Sequence, residues 1–337
     1  MIYMETHSTD PCYNLAFEEY QLTRGPAGDI LILWQNRNAV IIGQNQNARE
    51  EVDLEYAKAT DTVVVRRITG GGAVYHDLGN LNYSLITDLD SAADLSLRSF
   101  SGIVSRALHT MGIPSEVSGR NDILIHGKKV SGSAQRIIGN RILHHGCILF
   151  KADPDRISRI LTPDKLKYAS GSVKSARSRI TCIEDYLPGT TVYDFWSLLK
   201  EQITGPDTIV YEPEGSELAE IQKLAEEKYR SYEWNFGAAP DYTVSGKGRF
   251  PGGILEFRAK VVKGKIKSIQ FFGDFMARRD IREISSAMTD VRFLPETVEE
   301  ILSAYPVSDY FGTITAEEIL QLIFPESSES SEVPGDA

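Results

Sequence analysis

Asn14 to Leu22 places Leu15, Phe17, Glu18 and Leu22 as an amphipathic helix would, entered near Asp10-Pro11. Two short apolar runs follow, Ile30 to Trp34 and Ala39 to Gly43. The polar stretch Gln35 to Asn38 separates them, which predicts a hairpin. Asp53 to Ala59 reads as helix, and Val63 to Val65 and Leu81 to Ile86 read as strands. Leu95 to Met111 carries apolar residues at helical spacing and stops at Gly112. Ile123 to Ile125, Lys129 to Ser133 and Ile142 to Phe150 read as further strands. Asp153 to Leu161, Tyr193 to Ile203 and Glu217 to Tyr229 read as helices, and the polar, basic Lys165 to Arg179 lies among them. Strands and helices mixed without strict alternation predict an α+β fold with a mixed, mostly antiparallel sheet and flanking helices.

After Trp234-Asn235-Phe236 the composition shifts, and residues 237–253 are rich in Gly, Pro, Ser and Lys. Ile254 to Val262 and Ile266 to Phe272 then form two strands across Lys263-Gly264-Lys265, a hairpin signature. Helical segments Ile281 to Ala287, Val298 to Ala304 and Ala316 to Phe324 complete a small unit. We therefore expect a large domain over residues 1–245 and a small α+β domain over 246–325. Residues 326–337 make an acidic, Ser-rich tail with a disordered composition.

Composition narrows the function classes. A net charge of −11 argues against a broad nucleic-acid surface and leaves room for a local basic pocket. Cys12, Cys147 and Cys182 are too scattered for a disulfide framework, and no CxxC pair offers a structural zinc site. The first residues lack a basic segment followed by an apolar one, and no apolar run approaches membrane-spanning length. A cytoplasmic location is the expectation, in which the sequon Asn82-Tyr83-Ser84 carries no meaning.

Candidate chemistry concentrates in Arg66 to Asp77, RRITGGGAVYHD. Gly70 to Gly72 permit positive φ and close approach to the main chain, so the loop can aim N–H groups at an anion. Arg66 and Arg67 stand at its entrance, suited to bidentate contact with phosphate or carboxylate. The spacing is neither a dinucleotide fingerprint nor a P-loop, and a tight hairpin is the plain alternative. A second constellation joins Gly119-Arg120-Asn121-Asp122 to Lys128-Lys129-Val130-Ser131-Gly132-Ser133-Ala134. Lys129 among small neighbours can place a point charge on a ligand, with Asp122 orienting it or touching a metal. A surface hairpin with solvated lysines is the alternative there. Cys147 next to His144-His145 invites a nucleophile reading, against which stands ordinary burial of a cysteine in an apolar strand. His144 and His145 point to opposite faces of a strand and cannot readily share a metal. His76 is read as lining the site.

Taken together these motifs resemble lipoate–protein ligase A. The resemblance runs from Asn14-Leu15-Ala16-Phe17-Glu18-Glu19 through Arg66 to Asn80, Gly119 to Ile123, Gly127 to Arg136 and His144 to Gly146. It continues over Ser172 to Thr181 and Tyr232 to Gly237. It implies a catalytic domain related to biotin–protein ligases, an accessory C-terminal domain, and one chain that carries both half-reactions. Lipoate and ATP, with Mg²⁺, would give lipoyl-AMP. The lipoyl group would then pass to a lysine of an apo-lipoyl domain, in a 2-oxoacid dehydrogenase E2 subunit or a glycine-cleavage H protein. Octanoate is an alternative acyl substrate, and neither nucleic acid nor membrane is a partner of the expected monomer. The resemblance makes Lys129 and Arg67 the catalytic cations, and Gly72, Ala73, Val74 and Tyr75 the nucleotide cradle beside them. Gly71, Gly72, His76, Ser133, Ala134 and Lys129 would contact lipoate, and Asn121 and Asp122 would orient Lys129 or touch Mg²⁺. Val74, Tyr75 and the Ile142 to Phe150 strand would line an apolar tunnel. The competing expectation is an ATP-independent acyltransferase with a thioester on Cys182, although Cys182 lacks the Pro-Cys-Gly setting of that family.

Overall fold

A computed structural model describes residues 1–91, 96–119, 121–161, 179–236, 244–262 and 264–325. The tail 326–337 and the basic stretch upstream of Arg179 lie outside the described residues. By contacts the chain divides into two units, Met1–Ala238 and Ala239–Ala337. Among the described residues no helix is long and apolar enough to cross a membrane.

The first unit is built on an eight-stranded sheet in the order β11-β1-β2-β6-β10-β9-β8-β7. Its strands are β1 (Ile2–Glu5), β2 (Ile30–Trp34), β6 (Asn80–Asp88), β7 (Ser115–Ser118), β8 (Asp122–Ile125), β9 (Lys128–Ile138), β10 (Arg141–Leu149) and β11 (Ile209–Val210). A small sheet holds β3 (Ala39–Ile42), β4 (Val63–Arg66) and β5 (Val74–His76) in the order β4-β3-β5. All pairings from β2 through β7 in the large sheet are antiparallel, whereas β1 runs parallel to β2 and β11. The α+β expectation with a mostly antiparallel sheet is borne out.

Strand β2 shows why the sheet is central. Its five residues are all buried, because alternate side chains serve two cores. Ile30, Ile32 and Trp34 pack with Leu15, Phe17 and Leu22 of the helix Pro11–Arg24. Leu31 and Leu33 pack with Val104 and Leu108 of the helix Leu97–Thr110, and with Phe195 and Leu199 of the helix Val192–Ile203. The first of these helices starts where expected: Asp10 accepts from the Cys12 amide at 3.0 Å, and Pro11 needs no donor there.

The hairpin expected between Ile30 to Trp34 and Ala39 to Gly43 does not form. Strand β2 pairs with β1 and β6, and β3 pairs with β4 and β5. Both runs are apolar on both faces and need two covered sides, which a two-stranded ribbon cannot supply. The polar link instead crosses between sheets, with Gln35 Nε2 donating to the carbonyls of Leu78 and Asn80 at 2.9 and 3.0 Å. The expected helix Glu217 to Tyr229 is regular only over Ser216–Leu224; Ala225–Tyr229 is a π-helical turn.

The second unit is a three-stranded antiparallel meander, β12 (Val244–Phe250), β13 (Gly253–Val262) and β14 (Lys265–Gly273). Helices Arg282–Ala287, Pro295–Ser303, Val307–Phe311 and Ala316–Ile323 cover a core rich in phenylalanine, including Phe257, Phe271, Phe275 and Phe311. Strand β12 was not legible in the Gly-rich composition of 237–253.

Candidate active site

A cavity of about 310 Å³ opens on one face of the large sheet, within the size range of small-molecule pockets. It brings the two constellations together. Arg67, Gly71, Gly72, Ala73, Val74, Tyr75 and His76 line it from the glycine segment. Asn121, Lys129, Ser133 and Ala134 line it from the second constellation. Asp122 stands behind the lining and pairs with Lys129, Nζ to Oδ1 at 2.7 Å. Leu15, Trp34, Ile41, Leu149 and Ile157 supply the apolar walls.

A bulge aims Lys129. In β8 and β9, Ile123 lies opposite Ser131 but the next residue, Leu124, lies opposite Lys129, so Val130 is the extra residue. Strict alternation would put Lys129 and Gly132 on opposite faces. With the bulge the Lys129 ammonium lies over Gly132, 2.7 Å from where a Cβ on that glycine would stand. The turn between these strands uses His126 and Gly127, both at positive φ (50° and 74°), the geometry of a two-residue hairpin.

The two arginines differ from their expected roles. Arg66 donates to the carbonyls of Gly43, Gln44 and Gln46 through Nη1, and to Trp234 and Asn235 through Nε and Nη2, all within 2.6–2.9 Å. It ties chain segments together and does not line the pocket. Arg67 does line it, yet its donors hold the glycine loop. Nη2 donates to Gly70 and Gly72 carbonyls at 2.7 and 2.9 Å, Nε to Thr69 Oγ1 at 2.9 Å, and Nη1 to the Ile41 carbonyl at 3.1 Å. One Nη1 hydrogen is left for anything in the pocket. Burial lowers the Arg67 guanidinium to about 10, so it stays charged near neutrality. Gly43 lets the loop lie close, since a Cβ there would run into the Gly71 carbonyl.

A buried chain of polar groups supports Arg67 from below, and the sequence reading missed it. Thr69 Oγ1 lies 2.7 Å from His145 Nε2, and His145 Nδ1 lies 2.8 Å from Glu18 Oε1, which also accepts from Ser84 Oγ at 2.5 Å. Trp34 Nε1 donates to Ser84 at 2.9 Å. A carboxylate only accepts, so Nδ1 carries a hydrogen. Glu18 and His145 both stood in quoted motifs, but strand and helix placed 127 residues apart gave no sign of their contact.

His76 has a fixed tautomer. Asn14 Nδ2 donates to the Gln35 carbonyl at 2.7 Å and to Asn36 Oδ1 at 2.9 Å, which turns Asn36 Nδ2 toward His76 Nδ1 at 3.1 Å. Nδ1 therefore accepts and Nε2 carries the hydrogen into the pocket lining. Burial first, then the charges of Arg67 and His145, drive His76 down to about 3, so it is neutral near pH 7. His144 faces the opposite way, stacked on Phe100 with ring centroids 3.6 Å apart.

Cys147 lines the pocket, and burial pushes its thiol well above the usual range. Cys182 does not line the pocket, and burial raises its thiol as well. Neither is arranged as an activated nucleophile, which needs a lowered thiol pKa or an adjacent base. Asp122 is engaged by Lys129, and among the described residues no three His, Cys, Asp or Glu side chains stand together as metal ligands. Among the described residues these side chains do not make a protein-held magnesium site.

Residues 10–204 match the lipoyl protein ligase A/B catalytic domain, and residues 239–323 the bacterial lipoate protein ligase C-terminus. The chain is 35% identical to lipoate-protein ligase LplJ of Bacillus subtilis, over 96% of this chain and 100% of that protein. Among solved structures it is similar to P. falciparum LipL1 in complex with lipoate, with TM-score 0.80 and 26% identity, covering 96% of this chain and 99% of that one. It is also similar to a lipoate-protein ligase A bound with ATP, with TM-score 0.58 and 27% identity, covering 70% and 99%. A bi-partite lipoate protein ligase from Thermoplasma acidophilum, studied with its E2 lipoyl domain, gives TM-score 0.60 and 28% identity, covering 72% and 98%.

Proposed function

We propose, since the chain belongs to the lipoate–protein ligase family, that it activates lipoate with ATP and transfers the lipoyl group to a lysine of an acceptor domain. It is an enzyme of this ligase class. In the first step a lipoate carboxylate oxygen attacks the α-phosphorus of ATP, and pyrophosphate leaves with the electron pair of the broken P–O bond. In the second the acceptor amine attacks the acyl carbon, AMP departs, and the amine's proton passes to solvent.

The observation that carries this reading is the bulged Lys129, the cation turned onto an otherwise mostly apolar pocket face. A carboxylate and a phosphate both need that charge where they meet, and preorganised charge acts most strongly where negative charge develops. Asp122 positions the ammonium. The loop from Gly71 to Tyr75 offers main-chain N–H groups to the adenylate, and Arg67 keeps that loop in shape through its carbonyls. His76 offers a neutral N–H donor, and Ser133 and Ala134 continue the wall beside Lys129. The bound ATP and lipoate of the similar structures support the choice of substrates. Magnesium would arrive on the triphosphate, as it commonly does with substrate phosphates. The E2 lipoyl domain of the archaeal ligase supports an E2-type acceptor, with a glycine-cleavage H protein as the other class.

The test is lipoate-dependent release of pyrophosphate from ATP by the full chain, with an apo-E2 lipoyl domain present or absent. Lys129→Ala should abolish release while the protein remains folded. Near-normal release from that variant would remove Lys129 from the mechanism.

A further inference from the structure

Asn82 lines the pocket, is 1% exposed, and among the described residues has no hydrogen-bond partner for either Oδ1 or Nδ2. Buried amides are almost always paired, so an unpaired one facing a cavity asks what its occupant brings. Its neighbours on the same sheet face, Ser84 and His145, are paired.

The register locates Asn82 relative to the cation. One cross-strand row runs Trp34, Asn82, Cys147, Gly132, Asp122 over β2, β6, β10, β9 and β8. The Lys129 ammonium sits over Gly132. Asn82 is two strands away, about 10 Å at the usual strand spacing. A medium-length acyl chain with its carboxylate at Lys129 and its body along this row ends beside Asn82, with Trp34 beyond.

Resting on the lipoate reading above, we propose that Asn82 is a specificity-determining residue that favours a dithiolane-bearing acyl chain over a plain alkyl one. Ring sulfurs are weak hydrogen-bond acceptors and can take the Asn82 Nδ2–H. An alkyl end offers no acceptor and leaves that donor desolvated and unmatched. Asn82 Oδ1 stays unmatched with either acid, so its cost cancels in the comparison. The preference is therefore modest, about tenfold, since a sulfur acceptor recovers only part of an amide's lost hydration.

The experiment compares kcat/KM for lipoate and octanoate in pyrophosphate release, for the full-length wild type and for Asn82→Leu, with thermal unfolding of each. The wild type should favour lipoate about tenfold. In Asn82→Leu the ratio should fall to within about threefold of unity, lipoate losing and octanoate gaining. Asn82→Ala is read the same way where the leucine does not fit. A folded variant that keeps the wild-type ratio overturns the proposal. So does a wild type with equal use of both acids, which would mean that water satisfies the amide beside an alkyl chain. A wild type that turns over neither acid overturns the lipoate reading itself, and this inference with it.

Discussion

Adding one methyl group at Gly132 separates the position of Lys129 from its presence. A Cβ at Gly132 would stand 2.7 Å from Lys129 Nζ and 2.9 Å from Cε. Ordinary non-bonded contact begins at about 3.5 Å, so the ammonium must retreat by about 1 Å. The obstacle is the end of a flexible side chain whose exposure is 40%, so the fold can yield there at little cost. The retreat strains the 2.7 Å pairing with Asp122, a part-exposed ion pair worth at most about 1 kcal/mol. For a unit of this size that corresponds to roughly 2–4 °C in Tm. Catalysis is far more sensitive, because a misplacement of about 1 Å can lower rates on the order of 100-fold. Gly132→Ala should therefore melt within about 4 °C of the wild type, yet release pyrophosphate about 100-fold more slowly at saturating lipoate and ATP. The assay is steady-state pyrophosphate release beside a thermal melt. Unchanged turnover in a folded Gly132→Ala protein would refute the reasoning, because the cation would then work from somewhere other than over Gly132.

Three further outcomes are expected. Arg67→Lys keeps the charge but loses the fork that holds the Gly70, Gly72 and Ile41 carbonyls; it should cost about 2–4 kcal/mol in denaturant unfolding, whereas a purely anion-binding arginine would tolerate the change. His76 binds a proton in the unfolded chain near 6.5 but in the fold only near 3, so the unfolded state holds more protons between those values and stability falls as pH drops through the window. Its contribution has a slope of up to about 1.4 kcal/mol per pH unit, and the urea midpoint of His76→Gln should fall less between pH 7 and pH 5 than that of the wild type; parallel curves would show that His76 is not the group responsible. Cys182→Ser should leave lipoate transfer to an apo-E2 domain unchanged, and a loss above tenfold would revive a thioester role.

Periodicity made the main elements legible, because most of them are amphipathic or bounded by turn residues. The helix Pro11–Arg24, the strands β6 and β10 and the β13–β14 hairpin all follow from local pattern. Strand pairing was not legible where a run was apolar on both faces, as with β2 and β3, since such a run names no partner. The pocket residues were legible as two motifs with unusual glycine content. What the motifs hid was direction. Lys129 reaches the pocket through an extra residue that alternation cannot reveal, and the arginines at the loop entrance turn toward carbonyls and not toward solvent. Glu18 and Asn82 were ordinary residues in one dimension. Only the fold shows the first holding His145 and the second facing a cavity with its amide unmatched.

The Arg66 knot also sets a timetable for synthesis. The Arg66 amide donates to Asn235 Oδ1 at 2.8 Å, its guanidinium to the Trp234 and Asn235 carbonyls, and Trp234 Nε1 to the Arg66 carbonyl at 2.8 Å. These partners lie 168 or 169 residues downstream. A nascent chain emerging from the ribosome thus holds the glycine motif early, but with its half-buried arginine short of acceptors until the Tyr232–Phe236 helix appears. The first unit can collapse around its sheet before then, while the end of β4 that leads into the glycine motif is tied down last. Chains stalled or truncated before residue 234 should therefore carry every described pocket-lining residue and still lack the partners that tie Arg66, at the entrance of the glycine motif, to the rest of the unit.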